Sequence, residues 1–344
     1  MRPESKMGKK IDLGILIFEI TDACNQNCRF CYNYWKGGNE PEMRGVPSFK
    51  QAERVLYNVF KQANVGSISF SGGEPMMMSR IFDLILTARR HKTQVSVLTN
   101  GTLLTDSDVT LFKQLDVSRV QIPLLSADPA VHDALTQKPG SWEKAVAAFR
   151  KVSLGKGPRA SAVLILTAEN IQGLEETLNF YKRLGVQSVL LNRFNLGGNG
   201  LRYKESLALS HSQLKNAFSL VNAFASNTGM HFSSGVCTPV CVLSPKDYPN
   251  IAFSFCNTDV TSRPITINYK GEVRFCNHSP RVMGNLLEKG LQEILTDPEN
   301  TAYYAALPPS CGKCVHLALC KGGCRAASEQ VYHDYTRVDP LVGK

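Results

Sequence analysis

No apolar run in this 344-residue chain approaches the roughly 18 residues needed to cross a bilayer. The opening stretch, Met1 to Lys10, is charged and lacks the apolar segment of a secretory signal. With neither feature, the cytoplasm is the expected compartment and no membrane partner is expected. There is no internal repeat of solenoid period and no low-complexity tract, and with 43% hydrophobic residues the chain is neither disordered nor fibrous but long enough to bury a sizeable core. Nucleic acid is disfavoured as a partner despite a net charge of +10, because Lys and Arg are scattered, with only short pairs such as Arg89-Arg90. Nor do aromatic and basic residues alternate along any strand-like stretch. The charge reads as a solvated basic surface that would steer anionic partners.

Cysteine, in contrast, is plentiful: eleven residues in tight groups. In a reducing compartment such groups are metal ligands rather than disulfides. Cys24, Cys28 and Cys31 form a C-x3-C-x2-C triplet at the end of the first strand-like run. Three thiolates hold three irons of a 4Fe-4S cluster and leave the fourth open to an exogenous ligand. Zinc is the competing reading, but structural zinc closes with four ligands, and no fourth Cys or His lies near this triplet.

From about residue 12 to residue 200, short β-rich runs alternate with amphipathic helical stretches, the pattern of βα units around a parallel sheet. The strands read as Leu13 to Glu19, Ser67 to Ser71, Val95 to Thr99, Arg119 to Leu125, Ser161 to Leu166 and Gln187 to Leu191. Helices are expected near Ser79 to His91, Asp106 to Leu115, Ser141 to Leu154 and Asn170 to Leu184. An earlier one opens on a capping box of Ser48 with Gln51. The fold class is α/β, a partial (β/α)6 TIM-type barrel whose active face lies at the strand C-termini. Gly197-Gly198-Asn199-Gly200 reads as a loop, and a helix from about Ser210 to Thr228 leads into loop-rich sequence holding Cys237, Cys241, Cys256, Cys276, Cys311, Cys314, Cys320 and Cys324.

The triplet, with Phe30 just before its last cysteine, resembles the radical S-adenosylmethionine (SAM) superfamily. A second motif agrees: Ser71-Gly72-Gly73-Glu74-Pro75 after the second strand is similar to that family's Gly-Gly-Glu-Pro segment. The resemblance implies a 4Fe-4S cluster on Cys24, Cys28 and Cys31, with SAM chelating the open iron and cleaving to a 5'-deoxyadenosyl radical. It implies SAM contacts from Gly72, Gly73 and Glu74, which would receive the amino group, from Phe30 near the adenine, and from the strand-end residues Asn100 and Arg193. Relatives often carry an acidic residue after the fourth strand, but Pro123-Leu124-Leu125-Ser126 lacks it, although Val131-His132-Asp133-Ala134-Leu135 still resembles the family. Anaerobic sulfatase maturation is thereby disfavoured. No catalytic acid or base is picked out.

The later cysteines resemble a SPASM domain, which adds auxiliary iron–sulfur clusters. Cys256, fourteen residues, Gly271, four residues and Cys276 match its opening half, and Cys311-x2-Cys314-x5-Cys320-x3-Cys324 its second. The resemblance implies Cys256, Cys276 and Cys324 on one auxiliary 4Fe-4S cluster and Cys311, Cys314 and Cys320 on another, each one ligand short. Cys237 and Cys241 supply the missing two, or one iron stays open, or an oxygen such as that of Asp339 substitutes. Expected divisions are a barrel over 1–200, a bridging helix and linker over 201–235 and the auxiliary domain over 236–344. The expected activity is oxidative modification of a precursor peptide, a C–C or thioether cross-link of the kind made on ribosomally synthesised peptides, with flavodoxin or ferredoxin as electron donor. Maturation of a tetrapyrrole-type cofactor is the alternative within enzymes. A zinc or nucleic-acid binding module is the alternative outside them.

Overall fold

The computed structural model describes residues 10–36, 46–257, 259 and 263–343. Most of the charged N-terminal stretch lies outside these residues. The described residues form one eleven-stranded sheet. Its strands are β1 (Ile11–Thr21), β2 (Ala63–Gly72), β3 (Gln94–Leu98), β4 (Arg119–Pro123), β5 (Arg159–Leu166), β6 (Ser188–Arg193), β7 (His231–Ser234), β8 (Ile251–Phe253), β9 (Pro264–Asn268), β10 (Glu272–Arg274) and β11 (Val282–Asn285). The order across the sheet is β11-β10-β9-β1-β2-β3-β4-β5-β6-β7-β8. From β9 through β1 to β8 every pairing is parallel, and only β10 and β11 run antiparallel.

The helices up to β7 are α1 (Phe49–Gln62), α2 (Ile81–Arg90), α3 (Asp106–Gln114), α4 (Pro129–Thr136), α5 (Ser141–Ser153), α6 (Leu174–Leu184), α7 (Lys204–Leu207) and α8 (His211–Thr228). In α1 the buried stripe is Ala52, Val55, Leu56, Val59 and Phe60, the period of an amphipathic helix. It meets Phe18, Ile68, Phe70, Val95 and Val97 of the strands in one continuous apolar core. Burying each of the larger side chains contributes about 1.5–3 kcal/mol.

The six expected strands are all present, but the parallel sheet does not stop at residue 200. Strands β7 and β8 add to the β6 edge from stretches expected as linker and auxiliary domain. Each is too short, at four and three residues, to leave a periodic signal. The sequence also misses α4, an eight-residue helix capped by Asp128, whose carboxylate accepts from Ala130 N at 2.8 Å. The capping box expected at Ser48 does not form: the Ser48 hydroxyl makes no cap bond, and Gln51 N donates to the Ser48 carbonyl at 3.0 Å instead. Capping boxes occur at Thr105 with Asp108 and Ser210 with Gln213.

Strand β1 has a partner on each edge, β2 and β9, so it joins the amino-terminal βα units to the carboxy-terminal third of the chain. Across that seam Glu19 on β1 forms an ion pair with Arg274 on β10, both fully buried. Arg274 also donates to the Ser279 carbonyl at 2.8 Å and lies 4.9 Å from the Tyr34 ring. Burial raises the Glu19 carboxyl above its ordinary range, and the arginine opposes that. Removing one partner of such a pair strands a buried charge and costs about 3–5 kcal/mol, whereas replacing both by apolar groups is far milder. We therefore expect Glu19→Gln to lower the denaturation midpoint sharply and Glu19→Leu with Arg274→Met to recover most of it. Equal losses in the single and double variants would contradict this reading of the pair.

Candidate active site and cysteine clusters

The cysteine triplet begins three residues past β1. The ladder to β2 shifts register between Glu19 and Thr21, which turns the chain out of the sheet. Thr21 Oγ1 accepts from Ala23 N at 3.0 Å, and Gly73 N and Glu74 N donate to the Thr21 and Ala23 carbonyls, each at 2.8 Å. A Cβ on Gly72 would lie 2.2 Å from the Thr21 oxygen, and one on Gly73 2.0 Å from the Ala23 oxygen. Gly72 also has a φ of +122°, open in practice only to glycine. What these glycines permit is thus close approach to the backbone entering the cysteine loop.

Segments that follow later strands contribute braces. Asn100, after β3, donates to Asn25 Oδ1 at 2.7 Å while its own oxygen accepts from Thr102 N at 2.9 Å. Arg29 N reaches the Leu135 carbonyl at 2.9 Å, and its guanidinium pairs with Glu169, beyond β5, at 2.7 Å. Asn199, beyond β6, donates to the Cys28 carbonyl at 2.9 Å, and Gly200 N to that of Cys31 at 3.1 Å. Gly198, with φ +48°, lies so close to Asn33 that a Cβ would meet its oxygen at 2.2 Å. The stretch read only as a loop, Gly197 to Gly200, is therefore one wall of the site. Three glycines around one Asn were the available signal.

The three thiols converge. Cys28 feels the charge of both Cys24 and Cys31, and burial, then those neighbours, pushes its thiol up. Burial likewise raises Cys24, against the charge of Lys36. The Lys36 ammonium donates to the Gln26 carbonyl at 2.9 Å, and its charge acts on all three thiols. No group of three or more His, Cys, Asp or Glu among the described residues is drawn together tightly enough to hold a metal ion. Three neighbouring soft donors and a positive charge beside them are nonetheless the donor set of a cluster with an open iron.

Three residues expected to contact SAM have other work. Glu74 is 1% exposed, and both its oxygens are taken: Oε1 by Thr99 Oγ1 at 2.6 Å and Met76 N at 3.0 Å, Oε2 by Asn100 N at 2.7 Å. It ties together the ends of β2 and β3. The Phe30 side chain is buried among Leu125, Leu135, Phe194, Leu196 and Leu207. Arg193 forms a buried ion pair with Asp339 and donates to Thr238 Oγ1 at 3.2 Å and the Cys237 carbonyl at 2.9 Å. Its charge is spent inside the protein.

That same ion pair frames the later cysteines. Asp339 accepts from Cys324 N at 2.8 Å and Leu341 N at 2.9 Å, so its oxygens hold backbone on both sides of the pair. The neighbouring Cys237 and Cys241 point to different places. Cys237 hydrogen-bonds Cys256 and feels Cys324 and Cys276, and that bond with burial pushes its thiol well up. Cys241 feels Cys320, Cys311 and Cys314, after burial the main influences raising it. Cys237 thus neighbours Cys256, Cys276 and Cys324, Cys241 neighbours Cys320, Cys311 and Cys314, and Val240, between the pair, donates its N–H to Cys320 Sγ at 3.5 Å.

Tyr32 joins the triplet to the first of these groups. It is half-buried, feels both Cys31 and Cys276, accepts from Asn277 Nδ2, and meets the His278 ring at a tilt of 46° with centroids 4.8 Å apart. Residues adjacent to a cysteine of each site are therefore in contact.

A family model described as the Radical SAM superfamily matches residues 18–181, and one described as an iron-sulfur cluster-binding domain, SPASM, matches residues 256–315. The AdoMet-dependent heme synthase of Nitratidesulfovibrio vulgaris is 22% identical over 344 residues, covering 95% of this chain and 91% of that protein. The mycofactocin maturase MftC of Mycolicibacterium smegmatis is 24% identical over 360 residues, covering 95% and 83%. Among solved structures, anSMEcpe with bound AdoMet and a peptide superposes with a TM-score of 0.70 at 17% identity, covering 96% of this chain and 94% of that one. SuiB of Streptococcus suis bound to S-adenosylmethionine gives 0.72 at 18%, covering 96% and 77%. The two family matches imply SAM and a 4Fe-4S cluster in the first region and iron–sulfur binding in the second.

The crowding at Gly73 makes a specific test. Gly73→Ala must push the Ala23 backbone away, so the variant is expected to lose the SAM-site cluster, read by electron paramagnetic resonance (EPR), while the later cysteines keep theirs. The split of the C-x3-C pair makes another: Cys237→Ala and Cys241→Ala should each remove about four of about twelve irons per chain, with different spectral components lost. Loss of the same component in both would contradict the split.

Proposed function

We propose that this chain, a radical SAM enzyme with a C-terminal SPASM domain, oxidatively modifies a peptide, with Cys24, Cys28 and Cys31 holding the SAM-site cluster. Cys237, Cys256, Cys276 and Cys324 hold one auxiliary 4Fe-4S cluster, and Cys241, Cys311, Cys314 and Cys320 a second. When bound, these groups supply a 5'-deoxyadenosyl radical that abstracts a hydrogen atom and an acceptor for the second electron of the oxidation. The residues described do the positioning. Gly72, Gly73, Asn100 and Asn199 fix the backbone of the triplet, Lys36 balances its thiolates, and the Arg193–Asp339 pair holds the backbone of Cys237 and Cys324 next to the barrel end.

What supports this reading is that Cys237 neighbours Cys256, Cys276 and Cys324 while Cys241 neighbours Cys320, Cys311 and Cys314, with Tyr32 lying between Cys31 and Cys276. Closed auxiliary clusters suit electron acceptance rather than substrate ligation. The MftC relative, by its name a maturase, and the structures of anSMEcpe and SuiB with bound peptides support a peptide as substrate. A flavodoxin or ferredoxin in a reducing cytoplasm would supply the electron that starts each turnover.

The second reading is oxidation of a tetrapyrrole-type cofactor, favoured by the heme synthase relative, which aligns over nearly its whole length. Anaerobic reconstitution with SAM and reductant, followed by mass spectrometry of candidate precursor peptides, separates the two. Loss of two hydrogens from a peptide supports the first reading; turnover of a porphyrin with every peptide unchanged overturns it. The triple variant Cys24→Ala, Cys28→Ala, Cys31→Ala is expected to form no 5'-deoxyadenosine, and undiminished formation would refute the radical site itself.

A further inference from the structure

Two guanidiniums lie buried beside the group formed by Cys237, Cys256, Cys276 and Cys324. Arg263 is 3% exposed and Arg325 5%. Arg263 donates to the Asn257 carbonyl at 2.9 Å and the Phe275 carbonyl at 2.8 Å, and its charge centre sits 3.2 Å from the Phe275 ring centroid and 4.6 Å from that of Tyr304. Among the described residues its Nε has no acceptor. Arg325 donates to the Tyr304 and Ala306 carbonyls. Among the described ion pairs, neither arginine has a carboxylate. The nearby acids are engaged elsewhere: Asp339 with Arg193, and Glu329 with Tyr303 and Arg281.

Buried charges persist when paired with an opposite charge, and carbonyl dipoles and ring faces supply only part of that. The remaining candidates are the sulfurs. Cys256 feels Arg263, Arg325 and Lys321, and Cys276 feels Arg263. The other group differs. The influences on Cys241 and Cys311, beyond burial and local hydrogen bonds, are other cysteines, and Cys241 and Cys314 are exposed.

We propose that Arg263 and Arg325 are the fixed counter-charges of the Cys237, Cys256, Cys276 and Cys324 site, raising the reduction potential of a cluster held there and leaving the exposed site untouched. The proposal rests on the cluster assignment above. A four-thiolate cluster becomes one unit more negative on reduction, so burial disfavours the reduced form and nearby guanidiniums restore it. The site next to the barrel is thereby made the better electron acceptor for its depth.

The test is an EPR-monitored redox titration, with titanium(III) citrate as reductant, of the reconstituted full-length protein and its Arg263→Gln, Arg263→Lys, Arg325→Gln and Arg325→Lys variants. The Cys256→Ala variant identifies the signal of this site. Each Gln variant is expected to lower the reduced-to-oxidised ratio of that cluster about tenfold at fixed solution potential, which is 59 mV for one electron. The Lys variants should stay near the parent, and the other clusters should titrate unchanged. If a Gln variant fails to assemble the cluster while its Lys counterpart does, charge is again the requirement. An unshifted cluster in the Gln variants, equal shifts in all clusters, or equal loss in the Gln and Lys variants overturns the proposal. If Cys256→Ala removes no iron from the parent, the cluster assignment is what has failed.

Discussion

The structure depends on β1 being a shared strand. Parallel pairing with β2 places the glycines of the β2 end against the backbone that enters the cysteine triplet, and parallel pairing with β9 brings the carboxy-terminal cysteines to the same end of the sheet. The Glu19–Arg274 pair locks this seam, because a buried ion pair tolerates little displacement before each charge loses its only opposite. From Arg274 the chain runs directly to Cys276, and from Glu19 to Cys24. One interaction thus fixes the relation between the SAM-type site and the auxiliary site nearest to it, with Tyr32 filling the space between them.

Around that seam, side chains that look like ligands serve as braces. Glu74, Asn100 and Arg193 each sit just past a strand end, where a substrate contact would be sought, and each has its polar atoms engaged by the protein. The triplet is held by backbone contacts from the β2 end and from the Gly198–Gly200 turn, and by side chains from Asn25, Lys36 and Asn199. A loop that must keep three sulfurs aimed at one cluster gains its rigidity from this shell.

The sequence makes legible whatever is local. The triplet spacing, the Gly-Gly-Glu-Pro segment and six strands rich in Val, Ile and Leu can be read because each signal sits within a few residues. Strands β7 and β8 are too short for a period to register. The roles of Arg193 and Asp339 cannot be read, since the partners are 146 residues apart. Spacing leaves open whether Cys237 and Cys241 complete one auxiliary site each; only the fold shows Cys237 neighbouring Cys256, Cys276 and Cys324, and Cys241 neighbouring Cys320, Cys311 and Cys314. The buried charges of Arg263 and Arg325 become visible only once Phe275, Tyr303 and Tyr304 are seen to enclose them.

The central claim is that one chain holds three separate cysteine sites, with Cys237 and Cys241 serving different ones. Iron anomalous scattering from anaerobically grown crystals of the reconstituted protein tests it most directly. The account predicts three iron clusters, one on Cys24, Cys28 and Cys31 with an open iron, one including Cys237 with Cys256, Cys276 and Cys324, and one including Cys241 with Cys311, Cys314 and Cys320. A map in which Cys237 and Cys241 bind the same cluster, or in which the triplet holds no iron, would contradict it.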